Sequence, residues 1–314
     1  MMRLLLFLFC LTLVSCGPGG GAARGDLGDR PVRIVATTSM IADLAREIGG
    51  DRVEVEGLMG PGVDPHLYKA SEGDVSRMTG ADLILYNGLH LEGKMVDILD
   101  RLGDRAAAVT DDIDRSRLVT PPAFAGNYDP HVWMDVSMWR VAAEEVAERL
   151  AALDTTHASA YRARAEEYVV TLDSLDAYVR AQTARVPEDK RVLVTAHDAF
   201  GYFGLAYDFE VRGLQGISTA TEAGTADVQE LARFVAEREI PAMFVESSVP
   251  ARSIEAVRAA VRSRGFEVEI GGNLYSDALG GAGSGADTYE GMIRHNVDTI
   301  VGALLPQDEP VAQR

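Results

Sequence analysis

Between Thr155 and Val186 the chain runs without a glycine or a proline until Pro187, and Tyr161, Ala165, Tyr168, Leu172, Leu175 and Val179 recur at spacings of 4, 3, 4, 3 and 4. That period lays a narrow apolar stripe along one side of a helix. At 1.5 Å per residue the stretch predicts a helix of ~48 Å, long for one α/β domain. A coiled-coil dimer seam would explain the length, but only about three heptads fit, and alanine and tyrosine stand where leucine or isoleucine is expected. The better reading is a rigid helix packed along the body and joining two lobes.

On either side of it, short β-rich runs alternate with amphipathic stretches. Before it, strands are expected at Val32–Thr37, Val53–Glu56, Leu83–Tyr86 and, more weakly, Ala106–Val109, with a helix over Met40–Ile48 ended by Gly49-Gly50. After it come strand candidates Val192–Thr195, Glu210–Leu214, Ala242–Val245 and Glu267–Ile270, and helices Val228–Arg238, Ile254–Arg264 and Met292–Leu304. This grammar predicts an α/β fold with mostly parallel sheets covered on both faces, whose ligands lie beyond the carboxyl ends of the strands. Gly271 to Gly285 reads as a glycine-rich loop.

The N-terminus places Arg3 before an apolar run, Leu4 to Val14, and then Ser15-Cys16-Gly17, the pattern of an export signal too short to span a bilayer. Leu13-Val14-Ser15-Cys16 resembles a bacterial lipobox, which implies cleavage before Cys16 and a lipid on it. The expected organisation is therefore a signal peptide over 1–15, a flexible glycine-rich tether over 16–31, a first lobe over 32–154, the long helix over 155–187, a second lobe over 188–306 and a tail over 307–314. Both cysteines, Cys10 and Cys16, lie in the first two segments, so the exported domain contains no internal disulfide. A net charge of −18 argues against a nucleic-acid partner, which needs lysine and arginine to neutralise phosphates.

The candidate chemistry lies in histidines. Val63-Asp64-Pro65-His66-Leu67-Tyr68 is echoed by Tyr128-Asp129-Pro130-His131-Val132-Trp133, and in each copy the proline favours a loop or a first helical turn from which an imidazole can point into a cleft. His197 ends a short apolar run, as at the mouth of a buried strand. Asp277, in Asn273-Leu274-Tyr275-Ser276-Asp277, could complete a nitrogen and oxygen set for a divalent transition metal, although by residue chemistry alone it reads more readily as a turn residue. The intervals, 131 − 66 = 65, 197 − 131 = 66 and 277 − 197 = 80, rule out a local motif such as a zinc finger, so only the tertiary fold could assemble the site. His90, His157 and His295 read as structural, solvated and packing or surface residues respectively, and Trp133 and Trp139 as core or cleft wall.

Taken in order, Asp64-Pro65-His66, Asp129-Pro130-His131-Val132-Trp133, Thr195-Ala196-His197-Asp198-Ala199-Phe200-Gly201-Tyr202-Phe203, Phe244-Val245-Glu246-Ser247-Ser248 and Tyr275-Ser276-Asp277-Ala278 resemble the cluster A-I solute-binding lipoproteins of bacterial zinc and manganese ABC importers. The resemblance spans nearly everything from Ile34 to Leu304. It implies two βα lobes joined by one long helix, one Zn²⁺ or Mn²⁺ per chain in the cleft, and His66, His131, His197 and Asp277 as its ligands. It further implies a monomer, lipid-anchored outside the cytoplasmic membrane, that serves a permease and its ATPase. Manganese-type relatives commonly carry glutamate at the third ligand position, so His197 points toward members that take zinc, or zinc and manganese alike. The segment from Thr110 to Asn127 lacks the histidine-rich loop of many zinc-dedicated members. Asp64, Asp129 and Glu246 are candidates to orient the imidazoles. Release would involve modest tilting or movement of the 271–285 loop rather than a wide hinge. Adhesion to host molecules is attributed to some members, and these residues do not test it.

Two rival readings remain at this level. A zinc-dependent hydrolase would need an open coordination position and a base such as Glu246, and no His-Glu-x-x-His pattern is present. A binder of haem, cobalamin or siderophores would need a set of aromatic and arginine side chains lining a broad cleft, and no such set is evident beside these histidines.

Overall fold

Runs of valine, isoleucine and leucine bounded by glycine or by capped helix starts fix the strands, all of which pair in parallel. The computed structural model describes residues 27–305, apart from residues 123 and 125. The signal-peptide segment, most of the tether with Cys16, and the 307–314 tail lie outside the described residues. The first half carries β1 (Val32–Ala36), α1 (Ser39–Gly49), β2 (Val53–Gly57), α2 (Glu72–Gly80), β3 (Leu83–Tyr86), α3 (Val96–Leu102), β4 (Ala106–Ala108) and α4 (Val136–Leu153). Its sheet has the order β2-β1-β3-β4, with Ile34 paired to Val55 on one side and Leu83 on the other. Thr38 caps α1 and Ser71 forms a capping box with Asp74 on α2.

The long helix α5 (Ala158–Thr183) follows, with the whole predicted stripe buried and Val170 on the opposite face exposed. Its 26 residues span ~39 Å rather than ~48 Å. The missing length is at both ends. Thr155–His157 forms a 3-10 turn held by Asp154, whose carboxylate accepts from His157 Nδ1 at 2.9 Å and from the Tyr161 hydroxyl at 2.8 Å. At the other end the residue preceding Pro187 is disfavoured in helical conformation. His157 is therefore half-buried and bonded rather than solvated.

Beyond α5 come β5 (Val192–His197), α6 (Gly201–Tyr207), β6 (Glu210–Gln215), α7 (Thr225–Glu237), β7 (Ala242–Glu246), α8 (Arg252–Arg262), β8 (Glu269–Leu274) and α9 (Tyr289–Leu304). They give two parallel pairs, β5-β6 and β7-β8, with β5 lying against β7 over a core of Val194, Met243, Leu231, Val235, Val257 and Val261. The expected loop from Gly271 is corrected here, because Gly271 and Gly272 belong to β8. A β-carbon on Gly271 would fall 2.7 Å from both Ala303 and Phe244, and Gly272 has φ +147° with Thr299 2.5 Å from where its β-carbon would be. These glycines let α9 close on the strand edge, so the loop proper begins at Tyr275.

α5 packs on α4 and α1 from the first half and on α9 and α6 from the second. The described residues from Pro31 onward accordingly form one compact unit. No described helix is long and apolar enough to cross a membrane.

Asp43 on α1 ties the halves together at a cost that depends on pH. Its Oδ2 accepts the Tyr289 N–H at the start of α9, 2.8 Å away. Burial, only partly offset by that bond, pushes its pKa from 3.8 up to about 6. The folded state thus holds the proton more tightly than the unfolded chain, so stability declines as pH rises from 3.8 through 6 and the full penalty stands above 6. Asp43→Asn is expected to leave stability near pH 4 unchanged and to raise it above pH 6 by up to ~3 kcal/mol, at 1.36 kcal/mol per pK unit. Urea unfolding at pH 4.5 and 7.5 checks this; an equal shift at both would refute it.

Candidate metal centre

The two Asp-Pro-His copies fold alike. In each, the aspartate accepts the backbone N–H of the histidine two residues on, at 2.9 Å for Asp64 to His66 and 3.0 Å for Asp129 to His131. Proline fixes the intervening φ, so the turn presents the imidazole rigidly. Asp129 Oδ1 also lies 2.7 Å from His131 Nδ1, which places the proton on Nδ1 and turns the Nε2 lone pair into the cleft. Asp64 behaves differently from the expectation that it orients a ring. It holds only the backbone of His66, and its other oxygen accepts the Thr219 hydroxyl at 2.5 Å from the loop after β6.

His197 closes β5, where the strand's carboxyl end delivers it. Glu246, at the same end of β7, accepts its backbone N–H through Oε1 at 2.8 Å and brings Oε2 to 2.6 Å from Nδ1. Asp277 comes from the loop after β8. Its Oδ2 lies 3.3 Å from His197 Nε2 and accepts the Ser248 hydroxyl at 3.2 Å, while Oδ1 lies 3.6 Å from His131 Nε2. His66 Nε2 and His131 Nε2 face each other at 3.3 Å.

One ligand atom from each of the four residues therefore lies within 4.8 Å of the others, and all four residues are buried. Among the described residues Asp277 Oδ1 and His197 Nε2 have no hydrogen-bond partner, an arrangement that is costly in the absence of a cation. Burial takes His66 down to about 3, so it is a neutral imidazole at any ordinary pH. Burial also works against a charged His197, but the Asp277 and Glu246 carboxylates outweigh it and hold that imidazole well above its usual value. Asp277 shows the converse: the nearby imidazoles overcome burial and hold it well below the usual carboxylate range.

The structure thus brings together all four ligands proposed from sequence. Asp129 and Glu246 act on imidazole rings, whereas Asp64 does not. His90 is exposed, and His295 on α9 packs with its Nε2 3.0 Å from the Asn273 carbonyl. Sequence reasoning missed Ser248 and Thr219. Ser248 closes the Phe244-Val245-Glu246-Ser247-Ser248 motif, but nothing in the sequence marks Thr219.

The description ZnuA, zinc-uptake complex component A, periplasmic, belongs to a family model that matches residues 34–303. The chain belongs to this family. As a ZnuA-family member it is 48% identical over 306 residues to the manganese-binding lipoprotein MntA of Bacillus subtilis, covering 97% of this chain and 98% of that one. It is 51% identical over 273 residues to the zinc-binding protein TroA of Treponema pallidum, covering 86% and 88%. The solved structure of that periplasmic zinc-binding TroA superposes with a TM-score of 0.85 at 50% identity, covering 88% of this chain and all of that one. Such ZnuA-family chains are solute-binding proteins, not enzymes, and the hydrolase reading finds no support. Glu246, the base named for that reading, has both oxygens turned to His197.

Proposed function

We propose that this chain captures one Zn²⁺ or Mn²⁺ outside the cytoplasmic membrane and delivers it to an ABC permease driven by an ATPase. The observation that carries the reading is the convergence of three imidazole nitrogens and one carboxylate, buried, within 4.8 Å. That spacing fits a single ion and leaves no room for a haem or a siderophore. Three imidazoles favour zinc by ligand softness, while the manganese-binding name of MntA keeps manganese in the pair.

In this reading His66, His131, His197 and Asp277 coordinate, and Asp129 and Glu246 fix the faces of two imidazoles. The lobes run over 32–154 and 188–306, with α5 as the strut between them. Lipid at Cys16 and the 16–31 tether hold a monomer near its permease. Hydrogen bonds between the halves, such as Thr219 to Asp64 and Leu279 N–H to Ser39 Oγ at 2.8 Å, favour release by small movements of the loops that carry them. Elemental analysis of protein purified from its native envelope without added metal should give about one zinc or manganese per chain. A chain free of transition metal that also fails to take up zinc in vitro would end the proposal.

A further inference from the structure

His131 and Asp277 come from opposite halves of the chain, yet one side chain connects their surroundings directly. Trp133 follows His131 by two residues and is wholly buried, its ring centroid 5.2 Å from the imidazole. Its indole N–H donates to the Ser276 carbonyl at 2.7 Å, across 143 positions of sequence. Ser276 is the residue immediately before Asp277. The Trp133 carbonyl in turn accepts the Tyr289 hydroxyl at 2.8 Å, and the Tyr289 ring stacks on Trp139 with centroids 5.1 Å apart.

We infer that Trp133 is a positioning residue for metal capture: its N–H fixes the peptide before Asp277, so that the carboxylate stands beside the imidazoles before an ion arrives. The inference rests on the metal-site reading and deepens it. Ser248 Oγ, from the same half as Asp277, bonds Ser276 Oγ at 2.9 Å and Asp277 Oδ2 at 3.2 Å, and the remaining ties of this loop are farther from the carboxylate along the chain. Asn296 holds Tyr275 through both its backbone N–H and its carbonyl, at 2.9 and 2.7 Å, and Ser39 holds Leu279. Between them only the Ser276 carbonyl is held from the turn that also carries His131, so this bond sets the separation between a first-half and a second-half ligand. Indole is a donor only, and burial makes an unfulfilled Ser276 carbonyl costly, so the bond is strongly enforced. A site organised in this way has little left to order when metal binds, and its ion leaves slowly because the carboxylate cannot swing aside alone.

The test is Trp133→Phe in the mature chain, with Co²⁺ and Zn²⁺ as probes. Phenylalanine keeps an aromatic ring and removes the N–H. The expected result is zinc affinity lower by about tenfold or more, the loss appearing in the dissociation rate, with the visible Co²⁺ ligand-field bands shifted or weakened. Tyr289→Phe, which frees the Trp133 carbonyl, should move both readouts the same way by a smaller amount, and it stands as the test if Trp133→Phe does not fold. Unchanged affinity, dissociation and Co²⁺ spectrum overturn the inference. So does a loss of stability with the spectrum intact, the mark of a merely structural tryptophan. If the unaltered chain binds neither ion, the metal-site reading itself fails; if it binds both and the variants match it, only the role of Trp133 fails.

Discussion

Replacing His197 by alanine should weaken zinc binding by more than about a hundredfold while the chain stays folded. Residues that merely orient a ligand already cost 10–100-fold in affinity when changed, so loss of a ligand itself lies beyond that range. His197 is the informative choice among the four because its environment is the most committed. Its ring is wholly buried between two carboxylates, with Nε2 toward Asp277 and Nδ1 toward Glu246. The backbone N–H that Glu246 accepts survives the substitution, so the junction of β5 and β7 is retained. What alanine leaves behind is a cavity beside Asp277, whose carboxyl loses the imidazole that helps hold it below the usual carboxylate range. The metal-free variant should therefore lose some stability, and added zinc should no longer restore it. Competition with a chelator gives the affinity and circular dichroism reports the fold. Near-native affinity would remove His197 from the site.

How much of this was readable in advance depended on how local the signal was. The apolar stripe of α5 was legible because a single period governs a long segment, and every stripe residue is buried. The Asp-Pro-His repeat was legible because its geometry is also local: an aspartate reaching the N–H two residues on and a proline in between. α4 follows directly on the Asp-Pro-His turn, and its start is marked only by Asp135, which accepts the Ser137 N–H. Gly271 and Gly272 misled, since their role is to admit α9 to a strand edge, and that contact joins residues that no sequence period connects. Asp277 as a ligand needed the resemblance, because a carboxylate in a glycine-rich segment looks the same whether it caps a turn or meets a metal. The Thr219 bond to Asp64 spans 155 positions and left no mark in the sequence at all.

Truncating Leu172 on α5 to alanine is expected to cost about 2–5 kcal/mol of stability and to leave metal affinity within a few-fold of its original value. Leu172 is wholly buried near the middle of the long helix, where α5 packs against helices from both halves, so its loss opens a cavity at the junction. If the helix positioned the ligands by its own rigidity, that cavity would propagate to the site and affinity would fall with stability. The cross-half hydrogen bonds indicate otherwise. Tyr202 donates to the Asp129 carbonyl at 2.9 Å, Trp133 to Ser276 and Thr219 to Asp64, each within two residues of a ligand. On the proposed reading, the geometry of the four candidate ligands is set by these nearby bonds, and α5 acts as a distant strut. The coiled-coil alternative is already answered by the stripe itself, which is covered by helices of its own chain. Urea unfolding and chelator competition on one pair of proteins separate the cases: destabilisation with unchanged affinity supports the strut, and a parallel collapse of affinity would move control of the site from the local bonds to the helix.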